Sequence, residues 1–362
     1  MKNVVSLFLL LLVGCSSSET VEEPVVEQLY FPPINSSVWE TKTPESLGWN
    51  TANLPSLYTF LQDNGTRAFI VLKNGRVVVE KYWNSNLTNT GNFTDSSLWY
   101  WASAGKSLTA TLVGIAQQEG ILNIEAKSST YLGTGWTSLP LAKENLIKVK
   151  HQLTMTTGLD YNIPDLDCTD PSCLVYKADA GAQWFYHNGP YTLLEKVVAN
   201  ASGKTYNTFT DEKIEVKIGM NGMWIPSGYN NVYYSTARDM ARFGLLILNK
   251  GRWENTAVLS DLSYYNAMVT TSQNLNVSYG YLWWLNGKSP SIFPGTTVAL
   301  PTWVAPNAPS DMFSAMGKNG QTVDVIPSKN LVVIRMGDAP GNDLVPVVFH
   351  DELWQKLMQI IN

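Results

Sequence analysis

Ser103 and Lys106 are spaced so that the two side chains could act on one reacting group. They occur in Ser-Ala-Gly-Lys at the start of a predicted helix, where residues three apart lie one above the other. The positive end of a helix dipole favours an alkoxide or an oxyanion. A neutral lysine can take the proton of a serine hydroxyl if burial or a second cation lowers its pKa from about 10.4. The pair predicts acyl transfer, although S-x-x-K also arises by chance and Ser103 could simply cap the helix.

Two other sites that this stretch could form are excluded by single residues. Gly105-Lys106-Ser107 matches the end of a phosphate-binding loop, but that loop needs a glycine where the chain has Tyr100. A serine in a G-x-S-x-G elbow needs a glycine where the chain has Trp101. A Ser-His-Asp triad would also have to draw on one of the chain's three histidines, which are His151, His187 and His350.

Tyr186-His187-Asn188 is the second segment that could do chemistry. A tyrosine held near two cations can ionise and act as a general base. Asn188, two residues on, points to the same side of an extended segment and could donate to a substrate carbonyl. His187 would point away, so we assign it no catalytic role. Taken alone, the segment could equally be a buried tyrosine followed by an asparagine turn.

The third segment is Lys318-Asn319-Gly320-Gln321. One interpretation is a strand that projects Lys318 into a cleft, with Gly320 allowing the substrate backbone to approach closely. The other is a hairpin turn at Asn319-Gly320.

The elements that must position these residues can be predicted from patterning. Asn74-Gly75 between two β-rich runs (68–83) predicts a hairpin. Apolar periodicity predicts helices, and the C-terminal part predicts two strands around 327–330 within 316–334. The β-rich ends should share one sheet, with the helical middle as a second lobe. The predicted helices cover 106–118, 191–200, 236–250 and 346–361.

The three segments, in this order and spacing, resemble the serine β-lactamase and penicillin-binding-protein superfamily, most closely the class C β-lactamase-related serine hydrolases. That group includes family VIII carboxylesterases, D-amino-acid peptidases and 6-aminohexanoate-dimer hydrolases. Further stretches are similar to its HLLTMTSGL, YSTARDLARFG and YGYGWW segments. The similarity covers about residues 60–340, and these stretches are Lys150–Leu159, Tyr234–Gly244 and Tyr279–Trp284.

The resemblance implies a fold in which an antiparallel sheet flanked by helices carries an inserted, mostly helical lobe. It implies that Ser103 is the nucleophile, Lys106 its proton partner and Tyr186 the general base and acid. Asn188, Gly320 and Gln321 would contact the substrate, and Lys318 would be the cation of the third motif. The backbone N–H groups of Ser103 and Gln321 would form the oxyanion hole. No cofactor and no metal are expected.

Two departures from the β-lactamase pattern bear on the substrate. The second motif is Y-H-N, with His187 where class C enzymes have a small residue, and the third is K-N-G followed by Gln321. Asp160-Tyr161 resembles the aminohexanoate-dimer hydrolase branch. The expected substrate is therefore a small linear ester or amide. The alternatives are a β-lactamase or D-amino-acid peptidase, or a non-catalytic binding or sensor protein on the same fold.

The N-terminus predicts export and a lipid anchor. A basic start, an apolar run of about ten residues and Leu12-Val13-Gly14-Cys15 resemble the lipobox of bacterial lipoproteins. Residues 1–14 are interpreted as a signal peptide and 15–35 as a lipidated Cys15 with a polar, acidic tether. The expected location is the bacterial cell envelope, where Cys168 and Cys173 would form a small disulfide.

Composition agrees with a globular enzyme. The 362 residues are 44% hydrophobic and 15% charged, with a net charge of −5, which argues against nucleic-acid partners. The few His and Cys residues fall short of a zinc set.

We predict an α/β sheet lobe from 36–100 and 266–362 and a mostly helical lobe from 101–265.

Overall fold

The computed structural model describes residues 28–342 and 345–361. The strands in chain order are β1 Thr66–Lys73, β2 Arg76–Tyr82, β3 Trp99–Tyr100, β4 Gly222–Ser227, β5 Asn230–Ser235, β6 Arg252–Trp253, β7 Thr256–Ala257, β8 Trp284–Leu285, β9 Phe313–Gly317, β10 Gln321–Ile326 and β11 Leu331–Gly337. The helices are α1 Leu54–Asp63, α2 Gly105–Gln118, α3 Ser129–Leu132, α4 Leu141–Glu144, α5 Val149–Leu153, α6 Asn188–Ser202, α7 Tyr206–Thr210, α8 Val216–Ile218, α9 Ala237–Leu248, α10 Leu262–Met268 and α11 Val347–Met358.

The main sheet has six antiparallel strands in the order β2-β1-β11-β10-β9-β8. It joins the N-terminal and C-terminal strands, which confirms the prediction that both ends share one sheet. The predicted hairpin is also confirmed, since β1 and β2 meet at Asn74 and Gly75, both with positive φ. Alternate residues of the central strands face two different cores, which explains their unbroken apolar runs.

Helices cover both faces of the sheet. α1 and α11 pack on one face, and α9 packs on the other against β10 and β11. α9 approaches so closely that a Cβ at Gly244 would lie 2.5 Å from Val332 Cγ1, so the helix requires glycine there. This helix falls within the range predicted for the helical lobe, but the structure places it on the sheet.

Helix α2, whose first turn contains Lys106, runs through the middle of the molecule. It is buried from Gly105 to Ala116, in contact with α6, α10 and β9. Because the helix is enclosed on all sides, its polar residues Ser107, Thr109 and Thr111 are buried together with its apolar ones. Gly114 fits closely under Tyr264, because a Cβ there would lie 2.3 Å from the ring.

The folded body begins before the end of the predicted tether (15–35). Tyr30 N donates to Asn74 O at 3.0 Å. Arg242 of α9 donates to the backbone carbonyls of Pro32, Pro33 and Ser36. Residues 28–35 are thus part of the folded body, because a buried guanidinium needs their carbonyls. Cys15 and the predicted signal peptide lie outside the described residues, within which no helix is long and apolar enough to span a membrane.

Candidate active site

Ser103 lies in a 3-10 turn, Ala102–Ala104, between β3 and α2. The turn is tied down on both sides of the serine: Trp101 N donates to Tyr233 O at 2.8 Å, and Ala104 N donates to Trp101 O at 3.0 Å. Ala102 has a φ of 47°, in the left-handed region that few non-glycine residues adopt. This sharp turn leaves Ser103 half-buried at the edge of the cleft.

Lys106 reaches the same cleft from the first turn of α2, as the i, i+3 spacing predicts. Its side chain is 4% exposed, and Nζ lies 3.8 Å from the Tyr191 ring centroid and 5.3 Å from the Tyr186 ring centroid. Burial lowers the pKa of Lys106 to about 7, while the nearby carboxylates of Asp167 and Glu195 act in the opposite direction. A large part of the Lys106 population is therefore neutral near pH 7 and can accept a proton.

Tyr186 lines the cleft beside Ser103 and Lys106, but its acid–base state differs from the expected one. Burial raises the pKa of Tyr186 well above its ordinary value, and the interaction with the Ser103 hydroxyl lowers it by less. The phenol is therefore protonated at rest. Desolvation opposes the expected ionisation of Tyr186 by neighbouring cations, and its role as general base and acid stays a prediction.

The third motif is a turn rather than a continuous strand. β9 ends at Gly317, and Lys318–Gly320 form a tight turn with Asn319 and Gly320 at φ values of 64° and 74°. The exposed Lys318 lines the cleft from this turn. The structure thus selects the hairpin interpretation of Asn319-Gly320 over the strand.

Two residues predicted to contact the substrate do not line the cleft. Gln321 is fully buried, and its side-chain amide exchanges two hydrogen bonds with the backbone of Gly337, which tie β10 to β11. Gly320 faces Arg335, whose Nη1 would lie 2.8 Å from a Cβ there. Because Gln321 is enclosed, its N–H is not open to the cleft, which counts against the expected role of Gln321 in an oxyanion hole.

The glycine that permits close approach to the nucleophile is Gly317. A Cβ at this position would lie 2.5 Å from Trp101 O, 2.9 Å from Ala104 N and 3.0 Å from Ser103 N. Because Gly317 has no Cβ, the end of β9 can lie directly against the backbone of the Ser103 turn. Sequence reasoning considered only Gly320, for close approach of the substrate backbone, and did not identify Gly317.

The disulfide loop forms one wall of the cleft. Cys168 and Cys173 are bonded, as predicted. Asp167, immediately before Cys168, lines the cleft and accepts a 2.7 Å hydrogen bond from Asn188 Nδ2. Gly189 N also donates to Leu166 O at 2.8 Å. The loop is thus fastened to the segment that carries Tyr186 and Asn188.

Sequence reasoning missed a second wall of the cleft, which is formed by the start of β5. Asn230 and Asn231 line the cleft, and both are hydrogen-bonded to α6. Asn231 Nδ2 donates to Glu195, which is 5% exposed and whose pKa burial raises to about 7. No motif marks Glu195, although its place one helical turn after Tyr191 puts both on one face of α6.

Together these residues enclose a cleft of about 280 Å³. This volume suits a small ligand. None of the chain's three histidines lines it: His187 is buried without a hydrogen-bond partner among the described residues, and His350 bonds to Asp324. His151 caps α5. The lining residues are Ala102, Ser103, Lys106, Leu166, Asp167, Tyr186, Asn188, Tyr191, Asn230, Asn231, Val232, Pro294, Gly295, Lys318 and Val345.

The fold of this chain is similar to that of solved structures. A protein from Bacillus anthracis, provisionally assigned as a 6-aminohexanoate-dimer hydrolase, superposes with a TM-score of 0.67 at 19% identity, covering 91% of this chain and 89% of the other. A penicillin-binding protein homologue from Caulobacter crescentus superposes with a TM-score of 0.65 at 13% identity, covering 84% and 97%. These similarities confirm the predicted fold.

Sequence comparison with known proteins identifies the family of this chain. The 6-aminohexanoate-dimer hydrolase of Paenarthrobacter ureafaciens is 22% identical over 327 residues, which cover 80% of this chain and 77% of the relative. The family model described as Beta-lactamase matches residues 62–345, a span that contains every residue of the cleft. The chain therefore belongs to the beta-lactamase family of hydrolases.

Proposed function

We propose that this protein is a serine hydrolase that cleaves a small ester or amide through an acyl-Ser103 intermediate. The observation that carries the proposal is the arrangement of Ser103, Tyr186 and Lys106 in one cleft, with a buried lysine whose pKa is about 7. A lysine in this state is a base at neutral pH, and a serine hydroxyl needs a base to become a nucleophile.

Neutral Lys106 takes the Ser103 proton, directly or through the Tyr186 phenol, which passes on its own proton as it receives the serine's. Ser103 Oγ then bonds to the carbonyl carbon, and the carbonyl electron pair moves to oxygen. When the tetrahedral intermediate collapses, the bond to the leaving alcohol or amine breaks, and that group takes the proton from the Lys106–Tyr186 pair. Water, activated by the same base, then attacks the acyl-Ser103 carbonyl and releases the acid and the free serine.

The oxyanion hole is assigned to the backbone N–H groups of Ser103 and Lys318. Gly317 lies against the Ser103 turn, and Lys318 is the next residue and lines the cleft. Two such donors, fixed before the reaction, stabilise the negative oxygen of the tetrahedral intermediate. This assignment replaces the enclosed Gln321.

Three features support a small linear ester or amide as the substrate. The cleft is small, and it opens between two walls that combine apolar groups (Leu166, Val232) with amides. Its charges are of both signs, since Lys318 and Asp167 both line it. The relative from Paenarthrobacter ureafaciens is a hydrolase of 6-aminohexanoate dimer, a linear amide.

We also propose that the protein is lipid-anchored through Cys15 in the bacterial cell envelope. The lipobox-like sequence at Cys15 supports this, as does the Cys168–Cys173 disulfide, which is typical of proteins outside the reducing cytoplasm. Labelling of Cys15 with a radioactive fatty acid, and its loss in Cys15→Ala, tests the anchor.

The experiment that tests the catalytic proposal compares the wild-type protein with Ser103→Ala and Ser96→Ala. Ser96 is exposed and outside the cleft, so it serves as the matched control. A short-chain p-nitrophenyl ester should be hydrolysed by the wild type and by Ser96→Ala, but not by Ser103→Ala. Mass spectrometry of a trapped acyl-enzyme should place the added mass on Ser103. Fast turnover of a chromogenic cephalosporin would instead indicate a β-lactamase, and a single burst without turnover would indicate a covalent sensor.

A further inference from the structure

Asn230 and Asn231 are neighbours in the cleft wall, yet α6 holds their amides in opposite senses. Thr192 Oγ1 donates to Asn230 Oδ1 at 3.0 Å, so the oxygen of Asn230 is turned towards the helix. Asn231 instead turns its nitrogen towards the helix, where Nδ2 donates to Glu195 Oε2.

The Glu195 carboxylate fixes the orientation of Asn231. Burial raises the pKa of Glu195 to about 7, so the carboxyl is ionised above that pH, where it can only accept hydrogen bonds and must face the amide nitrogen. The amide is planar, so the oxygen is directed away from the carboxylate that binds the nitrogen, and Asn231 lines the cleft. Among the described residues, this oxygen accepts no hydrogen bond and is not enclosed.

Burying a carboxylate costs desolvation free energy, so a carboxylate is an unfavourable group for merely holding the β4–β5 hairpin in place. Glu195 is 5% exposed, and its Oε1 has no hydrogen-bond partner among the described residues. Thr192 shows that a neutral hydroxyl suffices to hold an asparagine on the same helix face. Above about pH 7, where Glu195 is ionised, the carboxylate adds a strict choice of which end of the Asn231 amide faces α6.

We infer that Asn231, oriented by Glu195, is a specificity residue that accepts a hydrogen bond from an N–H group of the bound substrate. The inference rests on the proposed function and narrows its substrate class to molecules with an amide N–H beside the reacting carbonyl. An ester or a hydrocarbon chain offers no donor there and leaves the Asn231 oxygen to be desolvated without a partner. Glu195 is the positioning residue.

Two pairs of substrates measure this preference. In the first pair, p-nitrophenyl N-acetylglycinate and p-nitrophenyl pentanoate share the leaving group and the chain length, and only the former has an N–H in the acyl part. In the second pair, p-nitrobutyranilide and p-nitrophenyl butyrate differ in the scissile bond. For each pair, kcat/KM of the substrate with the N–H group is divided by kcat/KM of the substrate without it. Comparing this ratio between a variant and the wild type cancels the intrinsic reactivity of the substrates.

Asn231→Leu should lower one of the two ratios about tenfold, which corresponds to one hydrogen bond. Glu195→Ala should lower the same ratio, and Glu195→Gln should lower it less, because the Gln amide can accept from Asn231 but can also face it with its nitrogen. Asn255→Leu is the matched control, since Asn255 is exposed and lies outside the cleft, and the ratios should not change. Equal losses on both members of each pair, in every variant, would mean that Asn231 and Glu195 only support the fold and would overturn the inference.

A binding measurement separates this inference from the proposed function. Ser103→Ala cannot form an acyl-enzyme but keeps the cleft wall. NMR titration with N-acetylglycine N-methylamide should show weak binding that Asn231→Leu, added to Ser103→Ala, weakens about tenfold. Absent or unchanged binding overturns the inference even if Ser103 proves to be the nucleophile. If the wild type hydrolyses none of the four substrates but the binding difference appears, the proposed function fails and the subsite stands.

Discussion

The ammonium of Lys106 lies 3.8 Å from the centroid of the Tyr191 ring, an aromatic contact rather than an ion pair. The face of the ring stabilises the cation only in part, and burial lowers the pKa of Lys106 to about 7. The protonation state of Lys106 therefore changes near physiological pH.

The first prediction concerns the pH dependence of hydrolysis. The base is the neutral lysine, so kcat/KM should rise tenfold per pH unit below about pH 7 and level off above about pH 8. Lys106→Ala should reduce kcat/KM by about 10²–10⁴-fold, whereas Lys196→Ala, an exposed lysine of α6, should not. A pH–rate profile of the short-chain ester measures this, and a flat profile between pH 6 and 8 would contradict it.

Removing the aromatic contact should move that profile in a known direction. Tyr191→Leu takes away the ring that stabilises the charged form, so the pKa of Lys106 should fall further and the midpoint should shift to lower pH. A shift to higher pH would mean that the ring acts on the lysine mainly by excluding water, since burial is what lowers the pKa of Lys106.

The second prediction concerns the contact between Gly317 and the nucleophile turn. Gly317→Ala would place a Cβ 2.5 Å from Trp101 O and 3.0 Å from Ser103 N, so the backbone must move. We expect a loss of about 1–3 kcal/mol in the free energy of unfolding and a fall in kcat of at least about 10²-fold. Gly341→Ala, with open space around the new Cβ, is the control. Kinetics and urea unfolding measure both quantities, and normal kcat in Gly317→Ala would refute the assigned oxyanion hole.

Local patterns predicted much of what positions the site. Asn74-Gly75 predicted its hairpin because two adjacent residues with positive φ define that turn. The predicted helix 106–118 is observed as Gly105–Gln118, and the C-terminal helix as Val347–Met358. The spacing of Ser103 and Lys106 placed both in one cleft because helical geometry depends only on nearby residues.

Long-range contacts account for what local patterns did not predict. The function of Gly317 depends on Trp101 and Ser103, more than two hundred residues earlier in the chain, so no local signal reveals it. The protonated state of Tyr186 follows from burial that only the folded structure shows. Glu195 has no motif because its partner, Asn231, lies on a different element.

The third prediction concerns the Cys168–Cys173 disulfide. The bridge closes a short loop, so its removal should cost about 2 kcal/mol in the free energy of unfolding. Leu166 and Asp167 precede it and line the cleft, so Cys168→Ser/Cys173→Ser should raise KM more than it lowers kcat. Dithiothreitol should reproduce the effect on the wild type and leave the double variant unchanged. Equal stability and equal KM in the oxidised and reduced proteins would show that the bridge has no influence on the cleft.

The last prediction concerns Arg335, which is fully buried in β11 beneath the Lys318–Gly320 turn. Its guanidinium donates to the backbone oxygens of Asn319, Asn64 and Asp338, and burial lowers its pKa to about 9. Arg335→Met leaves these carbonyls without donors and should destabilise the protein by about 3 kcal/mol or more.

Arg335→Lys separates stability from catalysis at this turn. Lysine keeps the charge but cannot reach several carbonyls at once, so the Lys318–Gly320 turn should loosen. Because Lys318 contributes to the cleft from that turn, kcat/KM should fall by at least about tenfold even at temperatures where the variant remains folded. Circular dichroism melting and ester kinetics at 15 °C measure the two effects. Full activity in folded Arg335→Lys would show that the turn holds its conformation without the guanidinium, through the left-handed residues Asn319 and Gly320 alone.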